Sequence, residues 1–154
     1  MVGVVFRERM AGRREQEAQQ RLRRQQLTDE LAAFQRDTIL ALQDAVGDLW
    51  ALSADAYNRA LASKAATGEW PPPERTEWPT LNVVSARITA LRARVLDEEL
   101  RSLVRELQTR IWSAVEVSDW REQPARMQVA RDPMNRMQDR VHLLLQELFR
   151  QVGD

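Results

Sequence analysis

Cysteine is absent from this chain of 154 residues. Without a thiol, the chain cannot form a disulfide, ligate zinc through cysteine or attack a substrate with a thiolate, and a reducing cytosol is its simplest compartment. Lysine and histidine are nearly absent, since each occurs once, as Lys64 and His142. Arginine supplies every other cationic side chain, a bias that is typical of proteins from high-GC bacterial genomes.

Long apolar runs are also absent. A membrane-spanning helix needs about 20 apolar residues, and the apolar segment Met1 to Phe6 is far shorter. This segment precedes the charged residues, so it is not a secretory signal. Apolar residues followed by arginines have the order of the last turn of a membrane helix and its cytoplasmic flank. The formal net charge is zero, so the whole chain has no electrostatic preference for nucleic acid or membranes.

Proline is missing between Phe6 and Ala66, and Gly12 and Gly47 are the only glycines inside that stretch. We therefore predict one very long helix with two different halves. Residues 1–26 form an arginine- and glutamine-rich helical stalk without an apolar stripe. Residues 7–26 contain seven arginines and three glutamates, a net charge of +4, so the rest of the chain carries −4. Gly47 lies within the second half, where it costs up to about 1 kcal/mol and permits close approach of a neighbouring helix.

The second half of this helix has an apolar face that begins at Leu27. Its residues recur at steps of three and four, which is helical spacing. Residues 27–154 are predicted to form a helical bundle domain with a Trp/Pro-rich connector at residues 68–80. Gly68 is a helix stop signal, and the three prolines Pro71 to Pro73 prevent the helix from resuming.

Three further boundaries follow from local signals. A second helix is predicted to begin after Thr80 or Asn82, either of which can cap it. Asp97, followed by two glutamates, predicts a break at Leu96–Asp97, and the sequence leaves open whether this is a kink or a turn. Residues 118–131 are irregular, with room for a short helix after Pro124, and the Asp132-Pro133 pair predicts the start of the last helix.

These elements predict an all-α fold, an up-down bundle of three to four helices with a long protruding N-terminal helix. The apolar stripes contain no strand-like alternation. The predicted core consists of Leu31, Phe34, Leu42, Leu49, Ile88, Leu91, Leu103, Leu107, Ile111, Val141, Leu144 and Leu148.

No residue pattern predicts a catalytic, cofactor-binding or metal site. His142 sits on a helix like a phosphoryl acceptor, but three leucines follow it, which favours a histidine at the edge of the core. Asp139 and His142 have the carboxylate-x-x-His spacing of bundle di-iron sites, which need that motif twice. The glycines are scattered and form no phosphate-binding loop. We therefore expect no cofactor and no small-molecule ligand.

The stalk is the first candidate contact surface. Its arginines could meet lipid headgroups or a protein partner. Nucleic acid is not expected, because no aromatic residue follows Phe6 in the stalk to stack on bases. A two-stranded coiled coil would be weak here, because few stalk residues are apolar. The candidate membrane or partner contacts are Val4, Val5, Phe6, Arg7, Arg9, Arg13, Arg14, Arg21, Arg23 and Arg24.

Two Glu-Trp-Pro triplets mark the connector and supply a second candidate surface. Their rings, Trp70 and Trp78, could be an exposed aromatic ligand for a protein partner. The alternative, which we favour, is that both rings fold back against the end of the bundle, because large exposed aromatics are uncommon on monomers.

An apolar segment, an arginine-rich helix, a bundle, and Asp97-Glu98-Glu99-Leu100-Arg101 opening another helix follow one another in this chain. This layout, carried by Met1 to Ala66 and Ser85 to Val115, resembles small uncharacterised actinobacterial helical proteins with an N-terminal membrane anchor. The resemblance implies a cytoplasmic helical domain and no activity or functional residue. The membrane helix itself is missing, so either an upstream segment supplies it or this chain is soluble.

Three functions are consistent with these patterns. The first is a non-enzymatic helical scaffold or interaction protein at the cytoplasmic face of a membrane, attached through its stalk. The second is a soluble, oligomeric or phage-derived module that binds a protein partner through the connector or the long helix. The third is a bundle enzyme that draws on scattered charged residues, and it has the least support.

Overall fold

The computed structural model describes the backbone of residues 2–72 and 78–153, and the side chains of residues 15–72 and 78–150. In these residues four helices follow one another without a strand. They are α1 (Val2–Thr67), α2 (Trp78–Arg92), α3 (Glu98–Val115) and α4 (Gln123–Gly153), and a single 3-10 turn, Trp120–Glu122, precedes α4. The fold is all-α, as predicted.

Helix α1 is the central element, because it packs against α2, α3 and α4. Its buried face includes Ile39, Leu42, Val46 and Leu49, whose spacing of three and four places them on one side of the helix. This face meets the other helices only from about residue 32 onward. Every residue from 15 to 31 is exposed, so the N-terminal part of α1 protrudes from the bundle.

The helices form an up-down bundle. Helix α4 runs antiparallel to α1, because Gln123 at its start bonds to the carbonyl of Ser53, whereas Arg140 lies at the opposite end of the bundle. Helices α3 and α4 share the most extensive contact, and α2 lies mainly against α1. None of the described helices is both long and apolar enough to cross a membrane.

Two predicted boundaries are confirmed. Helix α1 ends at Thr67, and Gly68 has a φ of 82°, a left-handed conformation that glycine adopts without steric cost. The break near Asp97 is a true turn, because α2 ends at Arg92 and α3 starts at Glu98. Asp97 caps α3, since its carboxylate accepts a hydrogen bond of 2.7 Å from the Leu100 amide.

Two predicted helix starts are wrong. Helix α2 begins at Trp78, before Thr80 and Asn82, because Pro79 is tolerated in a first turn whose amides have no helical partner. Helix α4 begins at Gln123 and runs through Asp132 and Pro133 without ending. Proline at position 133 removes one helical hydrogen bond, and both Ala130 and Pro133 are buried in the bundle.

The core is largely the predicted one. Leu42, Leu49, Ile88, Leu103, Leu107, Ile111 and Val141 are buried, and Leu91, Leu144 and Leu148 pack partly buried against them. Leu31 and Phe34 are wrong, because about half of each side chain is exposed. Their spacing does continue the apolar stripe, but the neighbouring helices cover each of them only in part.

Candidate interaction surfaces

The stalk contains most of the candidate contact residues. Arg21, Arg23 and Arg24 are exposed on α1 and form no ion pair within the described residues. Val4, Val5, Phe6, Arg7, Arg9, Arg13 and Arg14 lie in the same helix, and their side chains fall outside the described residues. The described part of the stalk is thus a solitary helix with free guanidinium groups.

Apolar side chains are exposed where the stalk leaves the bundle. Leu27 is 65% exposed, Leu31 50% and Phe34 49%, all on the face of α1 that is buried further along the helix. On neighbouring elements Leu96 is 64% exposed and Phe149 is 62% exposed. We call these five residues the junction surface.

The five residues lie at the same end of the molecule. Leu96 is adjacent to α1, because its amide donates a hydrogen bond of 3.0 Å to the Gln35 side chain. Phe149 lies nine residues beyond Arg140 on α4, roughly 13 Å along the helix. Leu27 lies eight residues before Gln35 on the antiparallel α1, roughly 12 Å in the same direction. The junction surface therefore spans α1, the α2–α3 turn and α4.

Polar groups hold the α2–α3 turn against α1 and α4 at this end. The Gln35 amide accepts from Leu96 N and donates to the Arg94 carbonyl at 2.9 Å, so one buried side chain satisfies two turn groups. Asp97 receives two hydrogen bonds from the Arg140 guanidinium, at 3.1 and 2.5 Å. The hydrogen bonds from Arg140 lower the pKa of Asp97, and the Leu100 amide acts in the same direction against the opposing effect of burial.

Trp70 lies at the opposite end of the bundle. Its ring lies 5.9 Å from the Tyr57 ring, and the Lys64 ammonium sits 4.7 Å from its centroid. It packs against a small second core formed by Ala56, Ala60, Val117 and Trp120. Among the described residues, the buried indole N–H groups of Trp70 and Trp120 have no hydrogen-bond acceptor. The ring is half-buried and folds back on the bundle.

Trp78, at the start of α2, packs edge-on against Trp112 of α3, with ring centroids 6.4 Å apart. The Trp112 indole donates to the Ser85 hydroxyl at 3.1 Å. The same hydroxyl accepts from the Gln108 amide, which also accepts a bond from Arg92. Trp78 is thus part of the contact between α2 and α3 and is also half-buried. A protein partner could therefore contact only the exposed edges of Trp70 and Trp78.

An open groove follows the outer side of α1. Arg87 of α2 borders it on one side and Arg131 of α4 on the other, and its volume is about 990 Å³. Gly47 lies on its floor between Asp44 and Asp48. A Cβ atom at Gly47 would meet no atom within 4 Å. The close approach that Gly47 permits is not used by any described helix, because this position faces the groove.

His142 and Asp139 are both exposed on α4, and the imidazole of His142 contacts the Gln146 side chain at 2.8 Å. Across the described residues, no three of the side chains that commonly bind metal come together as a potential site.

Sequence reasoning missed the buried glutamines. Gln35, Gln108 and Gln123 each bridge two elements, and Gln123 donates to the Ser53 carbonyl at 2.9 Å while being almost fully buried. The helical spacing could have indicated this for Gln35, because Gln35 lies four residues before the buried Ile39 and therefore on the same, apolar side of α1. A polar residue within an apolar face is buried only with a partner.

Comparison with known proteins returns no match, whether to a protein-family model, to a curated protein or to a solved structure.

Proposed function

We propose that this protein is a non-enzymatic helical scaffold that is attached through its stalk to an anionic membrane surface. The observation that carries this proposal is the exposure of every residue from 15 to 31 of α1. That segment alone projects a helix of roughly 25 Å beyond the packed part of the chain. Within that segment, residues 15–26 contain only two apolar residues, Ala18 and Leu22. This part of the helix therefore gains little from packing against the bundle and is available for contacts outside it.

The charge of the stalk supports lipid headgroups as the surface it meets. Each arginine near an anionic bilayer contributes about 1 kcal/mol, so the net charge of +4 in residues 7–26 contributes about 4 kcal/mol. That energy corresponds to a dissociation constant of about 1 mM. The apolar residues Val4, Val5 and Phe6 would add to it. We therefore expect reversible attachment that weakens as salt is added.

Vesicle flotation of the full chain tests this proposal. One variant replaces four stalk arginines with glutamine, namely Arg13, Arg14, Arg23 and Arg24. The matched control removes the same charge from exposed arginines of the bundle, namely Arg105, Arg110, Arg121 and Arg136. The stalk variant should lose flotation with anionic vesicles, and the control should retain it. Equal flotation of both variants would remove the stalk from the mechanism.

A second candidate is a module that binds protein, and the exposed apolar residues at the junction surface favour it. In this case the chain would associate in solution without lipid. Sedimentation of the full chain at increasing concentration separates the two candidates, because membrane attachment by the stalk does not require self-association.

A further inference from the structure

We propose that the cleft between α2 and α3 binds the phosphate group of a small soluble molecule between Arg92 and Arg105. The cleft has a volume of about 430 Å³, and both arginines line it together with Ser85, Gln108 and Trp112. These residues belong to the bundle and not to the stalk. The inference therefore goes beyond membrane attachment, because it assigns a different surface and a different ligand.

The first argument is positive charge that no acid neutralises. Helix α2 contains no acidic residue. Within the described residues neither Arg92 nor Arg105 forms an ion pair, whereas Arg110 on the same helix pairs with Glu106. The acidic residue that lines the cleft, Glu116, lies eleven residues beyond Arg105, roughly 16 Å along α3. The opposite end of the cleft therefore attracts anions.

The second argument is that one guanidinium is already held in place. Gln108 is buried, and its side-chain carbonyl accepts a hydrogen bond of 3.1 Å from Arg92. That bond uses one of the five N–H donors of the arginine. An ordered guanidinium loses less entropy when it binds an anion. Arg105 lies three residues before Gln108 and thus on the same face of α3, so the two arginines flank one end of the cleft.

The Ser85 hydroxyl supplies a further donor. Its oxygen accepts hydrogen bonds from the Trp112 indole and from the Gln108 amide, both at 3.1 Å. Its own proton has no acceptor among the described residues. The tetrahedral oxygens of a phosphate can accept from donors on both α2 and α3, whereas the two oxygens of a carboxylate are satisfied by a single arginine. The donor set therefore favours phosphate.

Titration of inorganic phosphate into the full chain, at constant ionic strength and followed by NMR, tests the proposal. The indole N–H resonance of Trp112, assigned by its loss in Trp112→Phe, reports binding because this group bonds to the Ser85 hydroxyl. We expect a saturable shift in the millimolar range, since charges close to solvent attract weakly. The absence of a saturable shift, or equally tight binding of acetate, overturns the proposal.

Arg105→Gln should weaken phosphate binding about tenfold or more, because it removes a charge-assisted contact. Its matched control is Arg110→Gln, which removes the same charge from the same helix but not from the cleft, and which should leave the affinity unchanged. Arg105 donates no hydrogen bond within the described residues, so equal melting temperatures of the two variants are expected and establish that both fold. Equal phosphate affinity of the two variants overturns the assignment.

Vesicle flotation of Arg105→Gln separates this inference from the proposed function. Flotation with anionic vesicles should equal that of the parent chain, because the stalk arginines are intact and the ligand is soluble. A loss of flotation would assign Arg105 to lipid headgroups and overturn the soluble ligand. If the stalk itself fails to bind vesicles, the phosphate titration still supports or refutes the cleft on its own.

Discussion

The losses of folding stability caused by Leu107→Ala and Leu31→Ala can be compared to locate the edge of the core. Both positions are leucines on predicted apolar helix faces, but Leu107 is fully buried and Leu31 is half-exposed. Removing a buried leucine side chain costs about 2–5 kcal/mol, because a transfer term and a cavity term add. The same change at a surface position costs about 1 kcal/mol or less. Helix propensity cancels in the comparison, since both substitutions replace leucine with alanine within a helix.

Urea denaturation followed by circular dichroism measures both losses, at a chain concentration low enough to keep the protein monomeric. For a domain of this size, each kcal/mol moves the melting temperature by about 2–4 °C, so Leu107→Ala should melt roughly 4–20 °C lower. Leu144→Ala should fall between the two, because Leu144 is partly buried. An equal or larger loss for Leu31→Ala would refute the boundary drawn between bundle and stalk.

Four further substitutions test the details of the fold. Gln35→Ala should cost about 1–3 kcal/mol, because it leaves two backbone groups of the α2–α3 turn without partners, and it should speed hydrogen exchange at the Leu96 amide. Asp97→Asn should destabilise the protein at neutral pH. Since the folded pKa of Asp97 is lowered, its stabilisation is complete above its ordinary pKa and is lost as pH falls through the lower folded value, so variant and parent should converge in acid. Gly47→Ala should stabilise the fold by up to about 1 kcal/mol, because a Cβ atom there meets no other atom. Gly68→Ala should destabilise the fold, because Gly68 has a positive φ. Thermal denaturation should show a higher melting temperature for the first variant and a lower one for the second.

Local signals in the sequence predicted the elements whose boundaries are set locally. Gly68 ends α1 because only a residue without a Cβ adopts its φ easily, and Asp97 caps α3 because its side chain reaches the third amide of the helix. The apolar stripes likewise predicted most of the core, since an amphipathic helix buries its apolar face wherever another helix packs against it.

The errors arose where tertiary packing outweighed a local preference. Asp132-Pro133 is a strong start signal, but α4 continues through it, and the helix is anchored in the core before and after it by Ala130 and Met137. The apolar stripe predicted that Leu31 and Phe34 are buried, but each is only half covered, because the cover of a side chain depends on how closely the neighbouring helices pack there. The candidate site could be predicted only in part, since the stalk is visible in the sequence whereas the junction surface depends on three elements meeting.

The stalk and the central helix of the bundle are one helix of 66 residues, roughly 100 Å long. Because the helix is continuous between them, a partner bound at the N-terminal end of the stalk fixes both the distance from that partner to the bundle and the rotation of the bundle about the helix axis. Inserting one residue into the stalk would turn everything beyond it by about 100° and lengthen it by about 1.5 Å. The spacing of residues in the stalk therefore determines which side of the bundle faces the object to which the tip is bound.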